Sequence, residues 1–215
     1  MFKGKVLLFS LLLVFATSLH AGDVDPCLSD VGVSCVGMRV SICPAGDFEF
    51  ISNGCGTGTD YIWVNVLDSS SNGIAGIPWT DYWMNACDAG QELCLCASPI
   101  TADSLTNSLG NTTFSGRMAG GGCVLTQGLY VAVQGKTLVD EPECIVATCI
   151  DVVIVSPDIN ADCLVNLSDL SFLAASYNTA VGDVDFNPCC DYNDDGLCNL
   201  GDFSFMGEHY QHECF

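Results

Sequence analysis

A twelve-residue stretch, DINADCLVNLSD at 158–169, returns as DYNDDGLCNLGD at 191–202. At this 33-residue offset Asp158/Asp191, Asn160/Asn193, Asp162/Asp195, Leu164/Leu197, Asn166/Asn199, Leu167/Leu200 and Asp169/Asp202 are identities, and the match runs on through Ser171/Ser204, Phe172/Phe205 and Tyr177/Tyr210. Oxygen-bearing side chains recur at the first, third, fifth, ninth and twelfth positions of both copies. Residues 158–215 hold eleven acids and no Lys or Arg. Carboxylates aimed at one point repel each other until a divalent ion neutralises them. The spacing is that of an EF-hand type loop, in which such oxygens and a backbone carbonyl at position 7 surround calcium with six to eight ligands at about 2.3–2.6 Å. Two bound calcium ions are the expectation.

After each loop the pattern turns helical. Leu170, Leu173 and Tyr177 fall at i, i+3 and i+7, and Phe203, Met206 and Tyr210 repeat them. Each helix offers one apolar stripe that it cannot bury alone. The expectation is that the two stripes pack together as a small core and do nothing more.

A loop and helix duplicated within 157–215, without the helix that precedes a full EF-hand loop, resembles the dockerin family. The resemblance implies a small all-α module of two calcium loop-helix repeats. Its first ligand set would be Asp158, Asn160, Asp162, Leu164 (through its carbonyl), Asn166 and Asp169. The second would be Asp191, Asn193, Asp195, Leu197 (carbonyl), Asn199 and Asp202. Dockerins of cellulosomal systems plug an enzyme or accessory protein into a cohesin, so a cohesin-like or other extracellular protein is the implied partner. This chain departs from the family at two places. Position 6 of the first loop is Cys163, where Gly is usual because the backbone there favours φ > 0. The pair that reads the cohesin is Leu167-Ser168 in one copy and Leu200-Gly201 in the other.

The compartment follows from the N-terminus. Lys3 and Lys5 precede an apolar run, Val6 to Ala16, and small and polar residues lead to Ala21. That reads as a secretory signal peptide over 1–21, cleaved near Ala21. The run is short of the roughly 20 residues that a membrane span needs, so no span is expected. Beyond it three cations, Arg39, Arg117 and Lys136, stand against 26 acids. Such a surface repels nucleic acid and suits divalent cations.

Fifteen cysteines in a secreted chain read as a disulfide framework. Ten precede residue 157 and five follow it. The ten are expected to close within their own module. Of the five, Cys189 or Cys190 is expected to join Cys214, leaving an odd thiol.

Residues 22–156 read as all-β, because short runs rich in Val, Ile, Tyr and Trp alternate with turn clusters. DYIWVNVLD (60–68), GLYVAVQG (128–135) and CIDVVIVS (149–156) are strand-like, and LTNSLGNTTFSG (105–116) suggests a hairpin around Leu109-Gly110-Asn111. The residues VNVLDSSSNGIAGIP, followed by SLTNSLGNTTFSG, resemble the bacterial immunoglobulin-like domains of secreted and surface proteins, which implies a disulfide-rich sandwich over 22–156. The Asp series begins directly after Pro157. Two closely abutted modules are therefore expected rather than tethered ones.

No catalytic set is legible. Beyond the leader only His209 and His212 remain, so the β region has no His for a nucleophile triad. It has no Gly-x-Ser-x-Gly or His-Glu-x-x-His motif either. His209, His212 and Cys214 have the spacing of a solvated helix end beside a disulfide rather than of a zinc site. Trp79, Tyr82 and Trp83 read first as packing residues and second as a platform for sugar rings. The expected function is non-catalytic: a secreted calcium-binding protein that docks to an extracellular partner, in the setting of polysaccharide breakdown that the dockerin resemblance implies. The alternative is a carbohydrate-binding or cell-surface adhesion protein capped by the calcium repeat.

Overall fold

The computed structural model describes residues 22–46, 48–51, 61–87, 92–96, 102–115, 119–125, 128–139 and 144–214. The leader read at 1–21 lies outside them. Before residue 157 the described strands are β1 (Asp30–Val33), β2 (Met38–Ile42), β3 (Phe48–Ile51), β4 (Ile62–Asn65), β5 (Tyr82–Ala86), β6 (Leu93–Leu95), β7 (Asn111–Phe114), β8 (Gly120–Gly122), β9 (Leu129–Val133), β10 (Lys136–Thr137) and β11 (Val152–Val155). They form three three-stranded sheets, ordered β1-β4-β7, β10-β9-β5 and β11-β2-β3, and a β6-β8 ribbon. Pairing is antiparallel except for β11, which runs parallel to β2 with Val152 opposite Met38. The three strand-like stretches carry β4, β9 and β11. The proposed hairpin supplies only β7, because Leu109-Gly110 closes a tight turn in which Gly110 donates to the Asn107 carbonyl. Short strands around one core fit the expected immunoglobulin-like sandwich.

Period-two alternation builds that core. Ile62 and Val64 of β4 and Tyr82 and Met84 of β5 point inward, joined by Phe114, Leu129, Val131 and Val133. Strands β2 and β11 are covered on both faces. Met38, Val40, Ile42, Val152 and Ile154 enter the sandwich core. Their neighbours Arg39 and Ser41 are buried as well, while Val153 and Val155 belong to a second core shared with the acidic repeat. A strand buried on both faces reads as a continuous apolar run, as VVIV of β11 does.

The repeat carries helices α1 (Leu167–Ser176) and α2 (Leu200–Glu208). Two short strands, β12 (Thr179–Ala180) and β13 (Leu197–Cys198), pair between them. The expected all-α module is therefore corrected. Much of each 33-residue copy is loop, the helices span 10 and 9 residues, and a β-ribbon joins the copies. Nor do the two stripes form a core by themselves. Leu173 and Met206 bury together with Cys43, Val155, Val165, Cys190, Tyr192 and Cys198, so the β11-β2-β3 sheet supplies part of the surface that the helices need.

Disulfide connectivity also departs from expectation. Cys27–Cys144 and Cys87–Cys149 lie within the β region. Cys94–Cys163, Cys96–Cys214 and Cys123–Cys189 cross into the repeat. The Cys214 clasp to Cys189 or Cys190 is not formed. Cys43, Cys190 and Cys198 stand as thiols, all buried. A framework of this density belongs to an oxidising, extracellular environment. No helix among the described residues is long and apolar enough to cross a membrane.

Candidate functional site

Both acidic loops fold around matching hydrogen bonds, and the first brings three of its carboxylates together. In the first loop Asp158 accepts from the backbone N–H of Asp162 (3.1 Å) and Cys163 (2.9 Å). Asp162 accepts from Leu164 N–H at 3.1 Å, and Asn166 Nδ2 donates to the Leu164 carbonyl at 3.1 Å. Asn166 caps α1, and Asp169 accepts from the Asn166 N–H at 2.9 Å, completing a capping box. Carboxylate oxygens of Asp158, Asp162 and Asp169 lie within 4.8 Å of one another. That separation lets one ion touch all three.

The second loop repeats this network at the same offset. Asp191 accepts from Asp195 N–H (3.1 Å) and Gly196 N–H (3.0 Å), and Asp195 from Leu197 N–H (2.9 Å). Asn193 Nδ2 donates to Asp195 at 3.0 Å, as Asn160 Nδ2 does to Asp162. Asn199 caps α2, and Asp202 accepts from Asn199 N–H at 2.9 Å. Backbone angles match too. Position 4 is left-handed at Ala161 (φ 56°) and Asp194 (φ 55°), and position 6 at Cys163 (φ 69°) and Gly196 (φ 80°). Cys163 therefore occupies a conformation that Gly adopts at lower cost.

Crowded, buried carboxylates resist ionisation. Burial, then the charge of Asp169, pushes the Asp158 carboxyl from 3.8 up to about 6. Burial likewise raises Asp169, Asp191 and Asp202, partly offset by backbone N–H donors. Asp158, Asp169, Asp191 and Asp202 are all buried. A cation at either centre would relieve this cost. Hard oxygen donors with carbonyl and amide support suit calcium rather than a soft metal. All twelve sequence-derived ligands sit in these two loops.

Two β-region residues that sequence reasoning missed shape the loops. Gly121 of β8 lies so close to Asp158 that a Cβ there would fall 2.7 Å from the Asp158 Cβ and nearer still to its carboxylate. The adjacent Gly122 donates to the Asp158 carbonyl at 2.6 Å. The run AGGGC at 119–123 was the available signal. Arg39 of β2 is the other. Its guanidinium donates to the carbonyls of Asp191 and Pro188 and pairs with Asp194 at 3.3 Å. A cation does reach the acidic repeat, from a strand far away in the chain.

The helical stripes are only half buried. Leu173 and Met206 are inside, but Tyr177, Phe203 and Tyr210 are exposed, as are Leu167 and Leu200. Tyr177 and Phe203 meet edge to face at 6.3 Å. The expectation that these aromatics are core alone is thereby overturned. Among the aromatics of the β region, Trp79 and Trp83 are exposed and Tyr82 is buried.

Fold and site together define a disulfide-crosslinked β protein carrying a paired acidic loop-helix repeat. No family model matches the chain, and no curated protein does. Among solved structures it is similar to the Escherichia coli adhesin FdeC, at 15% identity and a TM-score of 0.32, over 67% of this chain and 34% of that one. The chain thus spans about a third of that adhesin structure. Two interface mutants of a type II cohesin–X-dockerin complex from Acetivibrio cellulolyticus also match. One has 13% identity and a TM-score of 0.28, over 82% of this chain and 96% of that one. The other has 12% identity and a TM-score of 0.26, over 85% and 96%. Scores this low carry nothing across to the site.

Proposed function

We propose that the chain is a secreted, non-catalytic docking protein whose paired loops bind two calcium ions and so hold an apolar surface in place for an extracellular protein partner. The observation that carries this reading is the exposure of Leu167 on α1, of Leu200 and Phe203 on α2, and of Tyr177 and Tyr210 just past the ends of these helices, each of which begins at an acidic loop. Exposed apolar side chains clustered on one element mark interaction surfaces. Each helix takes its N-cap from position 9 of its loop and its N3 acid from position 12. An ion bound there fixes where the helix starts and hence where its exposed residues stand. The dockerin resemblance adds a setting, an assembly that handles extracellular polysaccharide, with a cohesin-like protein as partner.

A pull-down from the native secretome with the oxidised chain tests this. One set of proteins should be retained in calcium, released by chelator and lost with the Leu167→Asp/Leu200→Asp variant. Retention indifferent to both would refute the reading. The exposed indoles of Trp79 and Trp83 favour a second reading, carbohydrate binding by the β region. Binding to a glycan array that Trp83→Ala abolishes, with no protein captured, would establish it instead.

A further inference from the structure

The two histidines of the chain end meet a cysteine from the opposite half of the molecule. Cys43 follows β2 and is fully buried. Its Sγ lies 3.2 Å from His212 Nδ1, and His212 Nδ1 lies 3.3 Å from His209 Nδ1. All three residues place a ligand atom within 4.8 Å of the others. Zinc bound by sulfur at about 2.3 Å and by nitrogen at about 2.0–2.1 Å has tetrahedral edges of about 3.3–3.6 Å. Both measured separations fall close to such edges. From these contacts we propose that Cys43, His209 and His212 form a zinc site, distinct from the acidic loops.

Several observations support a built site. His209 caps the C-terminal end of α2. The segment after it is pinned by Gln211 N–H to the Val165 carbonyl, Val165 N–H to the His212 carbonyl and Cys214 N–H to the Cys163 carbonyl. The His209 ring packs on Phe205 at 4.5 Å and on His212 at 5.2 Å, which fixes both ring planes. Thiolate and imidazole are soft and borderline donors that select zinc over calcium, so the two kinds of site divide the metals between them. Binding exchanges the Cys43 thiol proton, released to solvent, for a sulfur–zinc bond. Both histidines are part-exposed, which gives water a route to the fourth position.

The test uses the full oxidised chain without its leader, in millimolar calcium so that the acidic loops do not take the probe. Cobalt titration should give a tetrahedral visible spectrum with a thiolate charge-transfer band, displaced by one equivalent of zinc. Cys43→Ser should abolish the band and weaken zinc binding by at least about 100-fold, and His212→Gln by at least about 10-fold. If Cys43→Ser does not fold, protection of Cys43 from alkylation by zinc in the unmodified chain gives the same information. Absence of the band, its survival in Cys43→Ser, or alkylation of Cys43 unaffected by zinc would overturn the assignment.

Discussion

Replacing Gly121 by Ala should weaken or abolish calcium binding at the first loop while leaving the second intact. The added Cβ would lie 2.7 Å from the Asp158 Cβ and closer to its carboxylate. An ordinary carbon–carbon contact is about 3.5–4.0 Å, so Asp158 must withdraw by roughly 1 Å or more. Calcium–oxygen bonds span about 2.3–2.6 Å, and a shift of that size removes position 1 from the ligand set. Overpacking of this kind costs on the order of 1–3 kcal/mol, and the bonds from Asp162 and Cys163 to Asp158 weaken along with it. Calorimetric titration of the oxidised chain should show one step lost or weakened at least about tenfold, or about 1.4 kcal/mol. Gly207→Ala is the control, because a Cβ there meets nothing within 4 Å. Two unchanged steps in Gly121→Ala would show that β8 yields instead of Asp158, and the claim that the β region shapes the loop would fall.

Other outcomes follow from the same geometry. Asp202→Ala should remove the tighter calcium step and Asp169→Ala the weaker, because Cys163 at φ 69° costs more than Gly196 at φ 80°; both steps should lie within roughly 10⁻⁵ to 10⁻³ M, and loss of the opposite step in either variant would reverse the order. Asp194→Asn should weaken the second step several-fold by leaving the Arg39 charge uncompensated, whereas Arg39→Met should destabilise the calcium-free chain by about 1–3 kcal/mol in denaturant, since buried carbonyls lose their donor. Acid should weaken the first site: Asp158 titrates near 6 instead of 3.8, so the ion-free fold carries a penalty that is absent below the lower value and complete above the higher. Calcium must displace the proton, and affinity at pH 5 should fall about tenfold from that at pH 7.5; equal affinities would mean that Asp158 is already ionised in the free chain.

The loops were legible in the sequence because their geometry is local. Asx turns, the capping box and the left-handed position 6 all act within twelve residues, and the repetition at 33 residues shows the same pattern twice. Strands β4, β9 and β11 were legible from alternation and apolar runs. The disulfides were not, since cysteine spacing leaves pairing undetermined and three bonds span the boundary between the regions. The helical period showed that Leu173 and Tyr177 share a stripe, but not that the β11-β2-β3 sheet would cover the one and leave the other in solvent. Arg39 and Cys43 carry no local mark of their contacts with the repeat, and the glycine run around Gly121 does not say which side chain comes close to it. Each lies far from it in the chain, and only the folded topology brings them to it.

The crossing disulfides set the route that a mechanical pull would take. Tension applied between residue 22 and helices α1 and α2 enters at Cys27 and passes through the bond to Cys144. It then follows the backbone directly to Cys163 and the first loop. The stretch from 28 to 143, which holds most of the sandwich, is bypassed and cannot be drawn out as slack. Cys94–Cys163 and Cys123–Cys189 tie the repeat back to the sheet at further points, so the two regions cannot be peeled apart at the Pro157 junction. While these bonds hold, such a load moves the two regions together instead of drawing the sandwich out.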